Sequence, residues 1–191
     1  MKSEDEKKEA PRAKARPSKR PVTKKEEVPL EPSPKQPVLD QYVTLIKGAV
    51  GEQAVSEYHI NREAGHLPTI VIRKEDWLAT ARYLKRSDEL SFDYLQSLAG
   101  VDYASYFEVV YVLLSMSTLQ KVMIKVKAER EEASVPSVSD VWAAANWNER
   151  EIFDLFGIEF TDHPHLKRIL LPDNWVGYPL RKDYEPLDKE V

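Results

Sequence analysis

Cysteine is absent from all 191 residues. That excludes disulfides, thiolate zinc sites, a cysteine nucleophile and every all-cysteine iron–sulfur ligation scheme. Glycine is scarce, with six residues. Neither GxGxxG nor GxxxxGK followed by Ser or Thr occurs, so nothing cradles a dinucleotide or nucleotide phosphate in the usual way. HExxH is missing as well. The longest unbroken apolar run, Val109 to Leu114, is far short of the roughly 18 residues that suggest a membrane helix. The charged start, Lys2 to Glu9, leads into no apolar stretch, and acids and bases are mixed there. A secretory signal or an acid-poor transit peptide reads differently. The expectation is a cytosolic, soluble or peripheral protein.

Aromatic residues are also absent from residues 1–37, which hold 11 Lys or Arg, 7 Asp or Glu and 7 of the 13 prolines. Their net charge is +4, leaving -8 for the remainder of a chain whose total is -4. Such a stretch has too little apolar surface to offset the entropy of ordering it, so 1–37 is expected to be a disordered arm. A basic tether for anionic lipid or nucleic acid has the same composition. The interleaved acids and the lack of a stacking aromatic favour a solvated tail.

Residues 38–191 are long enough to bury roughly 68–70% of the unfolded chain's surface. Leu39, Tyr42, Val43, Ile46 and Ala49 recur at helical spacing up to Gly48–Gly51. Strand-like runs follow at Val55–Asn61 and Thr69–Ile72, then a helix marked by Trp77, Leu78, Ala81 and Leu84. Three more strands are expected: Phe92–Val101, Phe107–Leu114, apolar on both faces as if covered on both sides, and Lys121–Glu129, where alternation is clean. The order helix, two strands, helix, three strands predicts an α+β, two-layer domain with a mixed sheet over 38–135. From 136 to 191 the sequence predicts a C-terminal helix and an extended irregular tail for partner docking. The helix should be capped by Ser137 or Ser139 and end at Gly157. An irregular stretch of that length is unusual for a self-contained domain and usually lies on something else.

Chemistry-bearing clusters are few. Asp162, His163 and His165 form D-H-P-H, but three or four ligands of matched geometry are needed to hold a metal, and a loop cap or interface hydrogen bond is the plainer reading. Glu149, Arg150, Glu151 and Asp154 look like acid–base machinery without a pocket. Arg150 and Asp154, four apart, can also pair within the chain. Flanked by Ile152, Phe153, Leu155 and Phe156, the strip suits docking, with Arg150 or Arg168 anchoring a partner's carboxylate. Gly177 to Tyr184 joins a turn glycine and a stiff Pro to basic residues beside aromatics, an interface composition. The net -8 of the domain opposes nucleic-acid binding.

The run from Glu149 to Leu170, EREIFDLFGIEFTDHPHLKRIL, is followed by GYPLRKDY at Gly177 to Tyr184. With GVDY at Gly100, FEVVY at Phe107 and AAANW at Ala143, this ordered set closely resembles the C-type subunit of the proton-pumping NADH:quinone oxidoreductase, respiratory complex I. The resemblance covers about residues 38–188; the basic, proline-rich start is a departure from it. It implies a non-catalytic scaffold subunit that holds no FMN, iron–sulfur cluster or quinone itself, those lying in other subunits. The implied partners are other complex I subunits, chiefly the quinone-site subunit of the D type and neighbouring iron–sulfur subunits. Membrane association would be indirect, on the cytoplasmic side of a bacterial cell membrane. The residues expected at the partner interface are Glu149, Arg150, Glu151, Asp154, Phe156, His163, Pro164, Arg168, Gly177, Pro179, Leu180, Arg181, Lys182 and Asp183. A standalone metal-binding protein or nucleic-acid adaptor is the alternative.

Overall fold

The computed structural model describes residues 31–186. The expected arm therefore falls mostly outside the described residues, but its last few residues do not. Ser33 is buried with its Oγ 2.8 Å from His66 Nδ1, and helix α1 (Gln36–Val50) starts with Pro37 in its first turn. That fixed φ suits a helix start. The ordered domain thus begins ahead of residue 38.

Apolar spacing decides the next elements. In α1, Leu39, Tyr42, Val43 and Ile46 form the buried stripe, and Gly51, at φ +132°, ends the helix. Strands β1 (Val55–Asn61) and β2 (Leu67–Ile72) form an antiparallel hairpin. Helix α2 (Lys74–Arg86) follows, with Glu75 and Asp76 in the first turn and Lys85 and Arg86 in the last, matched to its dipole. The meander β3 (Tyr94–Asp102), β4 (Tyr106–Leu114) and β5 (Lys121–Glu129) then completes a five-stranded sheet of order β1-β2-β5-β4-β3. All neighbours are antiparallel except β2 and β5, making the sheet mixed. The α+β two-layer expectation is met.

Among the described residues the helices cover one face of the sheet. Ile70, Ile72, Phe107, Val109, Tyr111, Leu113, Ile124 and Val126 share the core with the buried stripes of α1 and α2, and Trp77 sits 4.4 Å from Tyr111, ring centre to ring centre. On the reverse face Val110, Val112 and Leu114 are half-buried, and Glu108 pairs with Lys125 at 2.9 Å. The expectation that β4 is covered on both sides is therefore corrected. A half-covered face tolerates Val and Leu because β-branched and apolar residues suit a pleated surface even when partly wet.

Helix α3 (Ala145–Phe156) starts later than expected from Ser137 or Ser139. Residues 134–136 form instead a short strand, β6 (Ser134–Pro136), parallel to β7 (Glu159–Thr161). Ser137 is not a helix cap: its hydroxyl donates to Glu149 Oε2 at 2.6 Å. The intervening turn is held by Trp142, whose Nε1–H donates to Phe92 O at 3.0 Å. Val138, Trp142, Ile152, Phe156, Ile158 and Phe160 belong to the same core as the sheet. The boundary expected at 135/136 therefore separates elements and not cores. Beyond β7 the chain runs as an irregular strap to the end of the described residues.

Candidate docking site

The strap is tied to α3 and to the end of β3 by two buried carboxylates. Asp154 accepts the amide N–H groups of Ile169, Leu170 and Leu171 on Oδ2 at 2.9, 2.7 and 3.0 Å. Arg168 Nη1 binds its other oxygen at 2.9 Å. Burial works to raise the pKa of Asp154, but the three amides and the Arg168 guanidinium outweigh it and hold the carboxyl below its ordinary value. Asp102 does the same at the far end of the strap. It accepts Lys182 N–H at 2.9 Å and Ala104 N–H at 2.6 Å, and pairs with Arg130 at 2.7 Å. Burial opposes ionisation there too, yet the donors bring Asp102 down to about 2. Arg130 also reaches Asp183 at 2.8 Å, closing the clasp.

The last turn of α3 is shaped to receive the strap. Gly157 stands at φ +69°, and a Cβ there would lie 2.5 Å from the Tyr178 ring and 2.7 Å from Arg181. Only glycine meets both the backbone and the space requirement. Arg181 donates from Nε to Phe156 O at 2.6 Å, with its guanidinium over the rings of Tyr178 and Phe107 at 4.4 and 5.0 Å. Leu180 N–H adds a bond to Leu155 O at 3.1 Å. Gly177, at φ +93°, makes the turn into this segment against the Tyr184 ring.

Glu149 and His163 lie inside, not on the surface. Both side chains are wholly buried, with His163 Nε2 3.9 Å from Glu149 Oε2. Val138 N–H donates to Glu149 Oε1 at 2.8 Å. Burial pushes Glu149 up to about 7, partly offset by the Ser137 and Val138 donors and reinforced by Asp140. His165 N–H donates to His163 Nδ1 at 3.0 Å, so the proton of the neutral ring sits on Nε2 and is donated to Asn146 O at 3.1 Å. Burial pulls the His163 pKa down. Both ring nitrogens are thus occupied. Among the described residues no group of three or more His, Asp or Glu is placed to hold a metal ion.

The expected interface residues therefore divide. Glu149, Asp154 and His163 serve the interior, Phe156 packs on Gly100 of β3, and Arg168 and Arg181 fasten the strap. The intrachain pair weighed for Arg150 and Asp154 does not form, because Asp154 is saturated by the strap. Arg150 instead donates from Nε to Lys167 O at 3.1 Å and lies over the Trp147 ring at 4.6 Å. Glu151, Pro164, Lys182 and Asp183 are exposed and Pro179 is half-buried. Large apolar side chains face outward along the same region: Trp147 is 63%, Leu170 59%, Val176 80% and Leu180 51% exposed. Sequence reasoning gave no role to Trp147, Asp102 or Arg130. The GVDY run containing Asp102 was the available signal.

A family model described as respiratory-chain NADH dehydrogenase, 30 Kd subunit, matches residues 70–190. The chain belongs to this family. The C-type subunit of NADH-quinone oxidoreductase from Roseiflexus sp. (strain RS-1) is 46% identical over 125 residues, covering 64% of this chain and 71% of that protein. The corresponding protein from Moorella thermoacetica is 43% identical over 125 residues, 64% of this chain and 83% of its own length. Among solved structures, Nqo5 of the trypsin-resistant fragment (1-134) in P63 form is similar with a TM-score of 0.54 at 28% identity, over 69% of this chain and 98% of that one. A chain of the membrane-bound sulfane sulfur reductase, an archaeal respiratory membrane complex, shares the fold with a TM-score of 0.63 at 23% identity, over 78% of this chain and 86% of that one. The span matched by the family model includes the strap, α3 and both clasping carboxylates.

Proposed function

We propose that this chain is a non-catalytic scaffold subunit of complex I, in which the holoenzyme passes electrons from NADH through FMN and iron–sulfur centres in other subunits to a membrane quinone, coupled to proton translocation. Family membership supports the assignment to an NADH-quinone oxidoreductase. The observation that carries the scaffold reading is the clasped strap. Its polar backbone groups are turned inward onto Asp154 and Asp102, while Leu170, Val176 and Leu180 are left outside. An ordered irregular segment with outward apolar side chains is an interface held in readiness, because ordering it in advance lowers the entropic cost of association.

The partners proposed are the quinone-site subunit of the D type and the adjacent iron–sulfur subunits. No helix among the described residues is long and apolar enough to cross a membrane, and the proposed location is peripheral, on the cytoplasmic side of the cell membrane, through those partners. The test is to tag the chain at either end, solubilise membranes in mild detergent and identify what copurifies at fixed stoichiometry. Recovery with iron–sulfur and membrane-arm subunits and inhibitor-sensitive quinone reductase activity is expected. Recovery of the chain alone, with both tags, overturns the proposal.

A further inference from the structure

Three arginines lie along α3 and the strap, and their surroundings separate them. Arg168 spends Nη1 on Asp154, and Arg181 is fixed to Phe156 O between two aromatic rings. Arg150 differs. Its Nε is held by Lys167 O and its plane by the Trp147 ring, yet its two terminal nitrogens have no hydrogen-bond partner among the described residues.

Nearby carboxylates do not supply one. Asp154 is taken by the strap, and Glu149 is buried against Ser137 and Val138. Exposed Glu151, next along α3, is in none of the ion pairs among the described residues. A guanidinium that is oriented at Nε, stacked on one face and open along its outer edge is pre-shaped for two parallel bonds to a carboxylate. Trp147, exposed beside it, offers a flat apolar surface to whatever side chain accompanies that carboxylate. Trp and Arg dominate the centres of protein interfaces for these reasons.

We infer that Arg150, braced by Trp147 and Lys167 O, is the anchor with which this face captures an Asp or Glu side chain of a neighbouring subunit. The inference deepens the docking reading above and rests on it. Phosphate would suit the same fork, but the net -8 beyond residue 37 opposes a polyanion, and the exposed apolar side chains around the site fit a protein surface on which one carboxylate is set among apolar groups.

The test uses the tagged, assembled complex. Arg150→Gln should reduce the fraction of chain retained on the complex through a detergent wash by about tenfold or more. Arg150→Lys, which keeps the charge and loses the fork, should recover only part of that loss. The melting temperature of the isolated full chain should fall by no more than about 2–4 °C in either variant, the cost of the exposed bond to Lys167 O and the contact with Trp147. A photoreactive phenylalanine at position 147 should crosslink to a peptide of another subunit that contains Asp or Glu. Wild-type retention of Arg150→Gln overturns the inference, as does a fall of about 10 °C or more in the isolated chain's melting temperature, or a crosslink confined to this chain. If the wild-type chain itself copurifies with nothing, the docking reading has failed first.

Discussion

Glu149 and Asp154 are about one and a half turns apart on α3, both wholly buried, and their surroundings drive them in opposite directions. Asp154 meets more donors than burial can oppose; Glu149 meets too few. Glu149 rises from 4.5 to about 7, so between those limits the folded state binds more protons than the unfolded chain. Stability from this group is full below about pH 4.5 and is lost as pH rises towards 7, by on the order of 3 kcal/mol. His163, held below its ordinary 6.5, works against it, gaining stability as pH rises. The clean measurement is the difference between wild type and Glu149→Gln in denaturant midpoints across pH 4.5–7.5. We expect the variant to lose the downward slope, and an unchanged slope would mean Glu149 is ionised throughout. For Asp154→Ala, three amides and a guanidinium lose their acceptor, each such orphan costing about 1–3 kcal/mol if it stayed buried. The strap avoids that cost by lifting off. Limited trypsin digestion should then cut at Lys167 and Arg168 while the sheet domain survives; an uncut strap in this variant would show that other contacts suffice to hold it.

Elements were legible where periodicity is local. The alternation from Lys121 to Glu129 matches β5 residue for residue, and the stripe from Leu39 to Ile46 matches α1. Strands of three residues, β6 and β7, carry no period to read, and their pairing is with each other across α3. The start of α3 was misplaced for a different reason. Serine favours caps because its hydroxyl takes up a free amide, but the hydroxyl of Ser137 is engaged by a glutamate twelve residues on. The strap's segment could be named from its Pro, aromatic and Arg content, whereas the partners of its charged residues could not. Asp102 lies 80 residues from the Lys182 amide it accepts, and nothing in spacing reports such a bond. The end of α3 gives an element-scale test. Gly65 and Gly157 have nearly equal φ, +70° and +69°, but Gly65 faces open space while Gly157 faces Tyr178 and Arg181. Gly65→Ala should cost only the left-handed backbone penalty, about 1–2 kcal/mol. Gly157→Ala should cost at least about 2 kcal/mol more and displace the strap. Equal melting temperatures for the two variants would refute the account of Gly157 as the seat of Tyr178.

At the scale of the molecule, the sheet domain and the strap bear different loads. The core is completed by Ile158 and Phe160, before the strap begins, and the strap contributes mainly hydrogen bonds to two carboxylates. A chain ending at Leu166 keeps the core, His163 and its bonds to Asn146 and His165. It loses the three amides and Arg168 on Asp154 and the Lys182 amide on Asp102, but Asp102 keeps Ala104 N–H and Arg130, and water enters as the strap leaves, so neither carboxylate is left both buried and unpaired. Deleting the strap should therefore be gentler on the domain than Asp154→Ala would be if the strap stayed in place. We expect the truncated chain to unfold in one cooperative transition at a moderately lower temperature. It should be absent from the assembled complex, since Leu170, Val176 and Leu180 go with the strap. A truncated chain that still assembles would place docking on the sheet's half-covered face or on Trp147 and Arg150 alone. One that fails to fold would mean the strap is part of the core's stability, and that order in the strap and order in the domain are a single equilibrium.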